Sequence, residues 1–136
     1  MKPNEDLWKR GDTIRTSLLG EAMTNKLNQA GTYDHPMMEL FGDYIREAVY
    51  GMVFDRPALD LKTRILLCVV TSTATHAMQE LSMHLRSARR MGWTEEELGE
   101  VLLQLGVYLG IPVGRKAMLV AKQVFEDYNK ELAAGG

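Results

Sequence analysis

Between Trp93 and Leu109 the chain reads WTEEELGEVLLQLGVYL, and its apolar residues return every three or four positions, at Leu98, Val101, Leu102, Leu105 and Leu109. That spacing lines one face of an α-helix and is wrong for a strand, whose faces alternate at every second residue. The start of this helix is also written in the sequence. Thr94 and Glu97 stand where each side chain can cap the other's backbone N–H. The helical period runs through most of the chain. Leu7, Gly11, Ile14 and Leu18 keep it, with Gly20 placed to end that helix. Met38, Phe41, Ile45, Ala48 and Val49 keep it behind a cap at Asp34 and a first-turn Pro36, until Gly51 weakens the pattern. Asp60 can cap a helix whose Ile65–Val70 run is apolar on all sides, which predicts burial among other helices. Thr71, Ser72, Thr73 and Thr75 mark a break before AMQELSMHL, and Gly92 ends that next helix. Pro112 opens the last one, striped by Val120, Val124, Phe125, Tyr128 and Leu132, before a tail, AAGG, expected to fray. The polar stretch from Glu21 to Tyr33 reads as a loop or a short helix. The expected fold is all-α, about six helices with short connections, in a single domain over 1–136 with a core at about 8–127.

Composition narrows the function. A formal charge of −2 gives no reason to expect nucleic acid or an anionic membrane as partner. The single cysteine, Cys68, rules out an internal disulfide and a cysteine-paired zinc site. The longest apolar run is too short to span a bilayer, and MKPNEDLWKRGD lacks the apolar region of a signal peptide, so a cytoplasmic location is the default expectation. Nine methionines read first as core filler, with a Met-rich ligand wall as the other reading.

The stretch AMQELSMHLRSARRMGW carries the chemistry that the rest of the chain lacks. With Ala77 at zero and ~100° per residue, Leu81, Leu85 and Ala88 fall at roughly 40°, 80° and 20°. His84 falls near roughly 340° and Glu80 near roughly 300°, while Arg86 and Arg90 point to the far side. His84 therefore points into the packed arc, with Glu80 one turn before it and close enough for the side chains to meet. Two readings stay open at this point. The pair is either a core histidine with a charged neighbour, or a semi-buried carboxylate tuning an imidazole for proton transfer. Arg64 can clamp a carboxylate or pair with Asp60; Arg56 can anchor an anion or sit in a solvated turn. Tyr108 can donate a hydrogen bond to a ligand or pack with its hydroxyl in water. Cys68 reads as an inert core thiol. His35, His76 and His84 have no metal-ligand spacing, so no metal is expected, and GIPVG lacks the pattern of a phosphate loop.

Three pieces in order, DRPALDLKTR, ELSMHLRSA and TEEELGEVLLQLGVYLGIP, together with the upstream RGDTIRTSLLG, resemble the γ-carboxymuconolactone decarboxylase family from about Trp8 to Asp127. The resemblance implies the all-helical fold shared with alkylhydroperoxidase D-like proteins. It also implies a ring-shaped homo-oligomer, a trimer or hexamer, with active sites near the helix that carries Glu80 and His84. The peroxidase branch uses a Cys-x-x-Cys-x-x-x-His motif. On this chain it would fall on Ala77, Glu80 and His84, so only the histidine is kept and the dithiol cycle is lost. The implied activity is decarboxylation of 4-carboxymuconolactone, or a related carboxylated lactone, to the 3-oxoadipate enol-lactone in aromatic catabolism, with no cofactor. In that reading His84 delivers the proton as imidazolium, Glu80 orients it and raises its pKa, and Arg64 or Arg56, with Tyr108, holds the substrate. The chain departs from the family pattern at FDRPAL, at RMGW and at Gly114–Lys116, positions that bear on the substrate. The competing expectations are a redox protein lacking the dithiol and a non-catalytic helical ligand-binding oligomer.

Overall fold

The computed structural model describes residues 4–135. Gly136, the end of the tail expected to fray, and the first three residues of the polar N-terminal stretch lie outside the described residues. The described residues form seven α-helices and one π-helical segment, with no strand among them. They divide into two compact units, one ending at Asp60 and one beginning at Leu61.

The first unit holds α1 (Glu5–Leu19), α2 (Glu21–Gln29), α3 (Pro36–Tyr44) and a π-helix (Ile45–Phe54) that continues α3. α1 starts at Asn4, whose side chain accepts from the Leu7 N–H, and ends at Gly20 with φ 85°. Its main partner is the π-helix, and glycine makes their approach possible. A Cβ on Gly11 would lie 1.8 Å from the Arg46 carbonyl oxygen, and one on Gly51 would lie 2.5 Å from that of Leu7. Gly51 therefore does not end the helix here, as its propensity suggests; it widens into π geometry and lets two backbones touch. Around this contact, Arg46 Nε donates to Asp12 at 2.8 Å, its guanidinium lies 5.0 Å from the centre of the Trp8 ring, and Trp8 Nε1 donates to Asp43 at 2.8 Å. Asn4 N–H also donates to the Glu47 carboxylate.

One open reading for this unit is decided and two expectations are corrected. The Glu21–Tyr33 stretch, read as a loop or a short helix, holds the short helix α2, which makes seven α-helices where about six were expected. The polarity of α2 left the choice open: only Thr24 is buried, its hydroxyl donating to the Gly20 carbonyl at 2.8 Å. The cap of α3 is His35, not Asp34; its extended backbone lets Nδ1 accept from the Met37 N–H at 3.2 Å. The buried stripe of α1 is Gly11, Arg15, Leu18 and Leu19, rotated by one residue so that an arginine takes the place predicted for Ile14.

The second unit holds α4 (Leu61–Ala74), α5 (Met78–Arg90), α6 (Glu95–Leu109) and α7 (Ile111–Ala133). α5 packs on α4 and α7, and α6 packs on α7 and α4. Ile65, Val69, Leu81, Leu85, Leu98 and Leu102 meet at the centre, none more than 2% exposed. Each such side chain stabilises the fold by ~1.5–3 kcal/mol. The capping box at Thr94 and Glu97 is formed as expected, with both hydrogen bonds at 3.0 Å. α6 and α7 join through the single residue Gly110, at φ 106°, with Pro112 in the first turn. A Cβ on Gly114 would lie 3.0 Å from the Gly106 Cα, so two glycines set the spacing of this hairpin. The run Ile65–Val70 is not buried on all sides: Leu67 is 50% exposed, because α4 is covered on the side of Ile65, Val69 and Thr73.

Candidate active site

The second unit holds α5, and α5 holds the Glu80–His84 pair. The helix is positioned by matching devices at its two ends. α4 closes with the Ala77 N–H on the Ser72 carbonyl (2.9 Å) and the His76 N–H on that of Thr73 (3.2 Å). α5 closes in the same way, with Trp93 on Ala88 (3.0 Å) and Gly92 on Arg89 (3.1 Å). These are the paired bonds of a helix end whose turning residue is left-handed. Gly92 takes that conformation at φ 102°, and His76 takes it at φ 60°. The break expected before α5 is thus a compact two-bond turn.

Side chains then fix the long axis of α5. Leu81, Leu85 and Ala88 are fully buried. On the opposite side Arg86 makes a two-pronged ion pair with Glu131 of α7, at 3.1 and 2.7 Å. The guanidinium groups of Arg86 and Arg89 lie 5.8 and 5.4 Å from the centre of the Tyr128 ring. The far side predicted for Arg86 is therefore not solvent but α7, since α5 is gripped from two directions. At the same end, Trp93 Nε1 donates to the Lys62 carbonyl at 2.9 Å, and the Lys62 ammonium sits 4.5 Å over its ring, tying the end of α5 to the start of α4.

On this anchored helix His84 is half-buried and Glu80 is exposed in the first turn. The semi-buried carboxylate expected at position 80 is corrected: the first turn projects into water, where its free N–H groups favour a negative charge. His84 is held below its ordinary value of 6.5, first by burial, with the Glu80 charge pulling the other way. Glu80 thus raises the imidazole, as the spacing implied, but burial prevails and the resting ring is neutral at pH 7. The sequence left the resting charge of His84 open; burial decides it.

The other predicted residues fall as follows. Arg64 is half-buried in the first turn of α4 and is engaged with a neighbour. Tyr108 projects from the last turn of α6, 83% exposed, so in the single chain it lines no enclosed pocket. Arg56 lies in the first unit, exposed in the turn after the π-helix, its N–H on the Val53 carbonyl at 3.1 Å. Cys68 is half-buried, and burial pushes its thiol up, which keeps it protonated. Among the described residues no group of three His, Cys, Asp or Glu side chains could hold a metal ion, and no helix is long and apolar enough to cross a membrane.

The described residues form an all-helical arrangement that presents a carboxylate–imidazole pair on one helix, with a single protonated thiol, Cys68, on another. The sequence profile of the carboxymuconolactone decarboxylase family matches residues 39–123, across the boundary between the two units. The chain is 34% identical over 125 residues to a 4-carboxymuconolactone decarboxylase of Acinetobacter baylyi, covering 91% of this chain and 90% of that protein. It is 36% identical over 129 residues to a nitrosuccinic acid decarboxylase of Metarhizium robertsii, covering 91% and 87%. An uncharacterised 15.0 kDa protein of Paracoccus denitrificans is 34% identical over 87 residues, 62% of this chain and 65% of that one. The chain belongs to the carboxymuconolactone decarboxylase family.

Proposed function

We propose that the protein is a cofactor-independent decarboxylase of a small organic acid, that 4-carboxymuconolactone or a related carboxylated lactone is its substrate, and that residues 1–136 act as one functional module. The observation that carries this reading is the Glu80–His84 pair on α5, present in a chain aligned over nine-tenths of its length with a decarboxylase of that substrate. In a butenolide with a carboxylate on the ring, the bond to CO2 breaks heterolytically. The electron pair passes through the ring alkene to the lactone carbonyl, and a new C–H bond forms on the ring carbon beside that carbonyl. Nitrosuccinic acid, by its name, likewise carries its own electron acceptor. Both reactions ask the same of a protein: hold a carboxylate, stabilise a dispersed anion and deliver one proton to carbon.

His84 is the proton donor in this reading. Burial keeps it neutral at rest, and the negative charge of the arriving substrate, added to that of Glu80, draws a proton onto it. Glu80 raises the imidazole and Arg64 anchors a substrate carboxylate, with Arg56 and Tyr108 as the further candidates for that contact. The active form is a homo-oligomer, supported by large apolar side chains left exposed on α6 and α7: Leu103 57%, Val107 75%, Ile111 68% and Leu119 60%. The test is CO2 release from freshly generated 4-carboxymuconolactone by wild type and His84→Ala. Positioned acid catalysis is worth ~10²–10⁴ in rate, so the variant should lose about that much. A loss of only a few-fold in a folded variant would remove His84 from the mechanism, and a folded but inactive wild type would overturn the substrate.

A further inference from the structure

The first unit buries one cation that neither the fold nor the proposed reaction uses. Arg15 is 7% exposed on α1, one helical turn beyond Gly11, where α1 touches the π-helix. Its Nη1 is shielded from solvent and meets no hydrogen-bond acceptor among the described residues. A shielded guanidinium N–H without an acceptor is rare in folded proteins and leaves a donor for an acceptor from outside the chain. The surroundings narrow what that is. The Arg46 charge acts on Arg15 together with Tyr33, Tyr50 and Asp12. Asp12, the carboxylate of this set, is already taken by Arg46 Nε at 2.8 Å. Two guanidinium groups against one carboxylate leave one positive charge unmet. A water could satisfy the N–H but not the charge. Tyr33 is half-buried, and its ring and Arg46 Nη1 converge on Gly42, where an added Cβ would lie 2.9 Å from Tyr33 Cδ1 and 3.5 Å from Arg46 Nη1.

We propose that Arg15, flanked by Arg46 and Tyr33, is a binding site for the carboxylate of a small organic acid. One net positive charge matches one carboxylate, and the planar fork of a guanidinium accepts the two oxygens of that group side by side. The site belongs to the first unit by itself and does not depend on the decarboxylase reading.

The test is isothermal calorimetry and thermal unfolding of the full chain with succinate as the probe, and sulfate at matched ionic strength as the control. Wild type should bind succinate saturably and unfold at a higher temperature in its presence. Arg15→Met should be no less stable than wild type without succinate, because it removes an unmet buried charge, and should bind succinate at least tenfold more weakly. Arg15→Lys keeps the charge and loses the fork. It should also bind several-fold more weakly, and it decides the matter if the methionine variant does not fold. His84→Ala should retain the binding, which separates this site from α5. No saturable binding by wild type, or binding unchanged by both substitutions at Arg15, overturns the proposal. Sulfate binding as tight as succinate overturns its assignment to a carboxylate.

Discussion

At the scale of single residues, the balance at His84 makes the proposed chemistry measurable. Burial lowers the imidazole and Glu80 raises it, and burial is the larger influence. Two consequences follow with definite signs. In Glu80→Gln the raising influence is gone, so the His84 titration, followed by its imidazole proton resonance, should move further toward acid. If the imidazolium delivers the proton, the fall in kcat/KM with rising pH should begin at lower pH in that variant than in wild type. An unmoved titration would mean that the Glu80 charge does not reach the ring. For stability the sign runs the other way from a paired histidine. A ring kept neutral by the fold binds fewer protons folded than unfolded, so stability is lost as pH falls from about 6.5 toward the lowered folded value. In His84→Gln that share of the acid sensitivity should disappear.

At the scale of elements, the two ends that bracket α5 invite a comparison within one molecule. The same pair of closing bonds uses glycine at position 92 and histidine at position 76. A left-handed backbone costs an L-residue with a Cβ roughly 1–2 kcal/mol, part of which glycine returns through its freedom in the unfolded chain. His76→Gly should therefore raise stability by about 0.5–1 kcal/mol, a few degrees in melting temperature, and leave turnover unchanged. A drop in stability would show that the exposed His76 ring contributes more than its backbone costs. The elements that sequence reasoning found and missed divide along the same physical line. α5, α6 and α7 were legible because their buried residues recur at helical spacing and their ends carry Gly92, Thr94 with Glu97, and Pro112. α2 was legible only as a loop or a short helix, since it buries only Thr24 and is held by backbone bonds that any sequence can make. The π-helix was not, because its cause lies on α1: the contact of Gly11 with Arg46 and of Gly51 with Leu7 joins residues far apart in sequence. At the candidate site, helical arithmetic pointed His84 into the packed arc, and it is half-buried. It could not show that the first turn of α5 exposes Glu80, or that α7 receives Arg86. Arg15 escaped notice for a related reason: a charged residue inside an apolar stripe is assigned to solvent until a packed partner says otherwise.

At the scale of the whole molecule, the surface left bare is the largest departure from the expected buried bundle. In sequence a row of exposed residues runs from the end of α6 into the start of α7: Leu103 and Val107 lie one turn apart on α6, Ile111 opens α7 beyond Gly110, all three are more than half exposed, and Leu119 is a further 60% exposed on α7. Solitary exposed leucines are ordinary, but a row of this kind is the sort of surface that a protein–protein contact would cover. A homo-oligomer covers such a row by repeating it, so one substitution is presented at every interface of the assembly. It would also change the setting of Tyr108, whose 83% exposure in the single chain is at odds with holding a substrate. Val107→Glu, at a position 75% exposed, costs the isolated chain little because its carboxylate stays in water, but it places a charge in any interface formed there. By light scattering after gel filtration, wild type should have a mass of several chains, and Val107→Glu should shift toward the 15.3 kDa of one chain with its helical signal unchanged. If turnover falls with the mass, the assembly completes the active site; if turnover is retained at the mass of one chain, the single chain carries the chemistry unaided. A wild type that runs as one chain would remove the oligomer and return the exposed row to another partner.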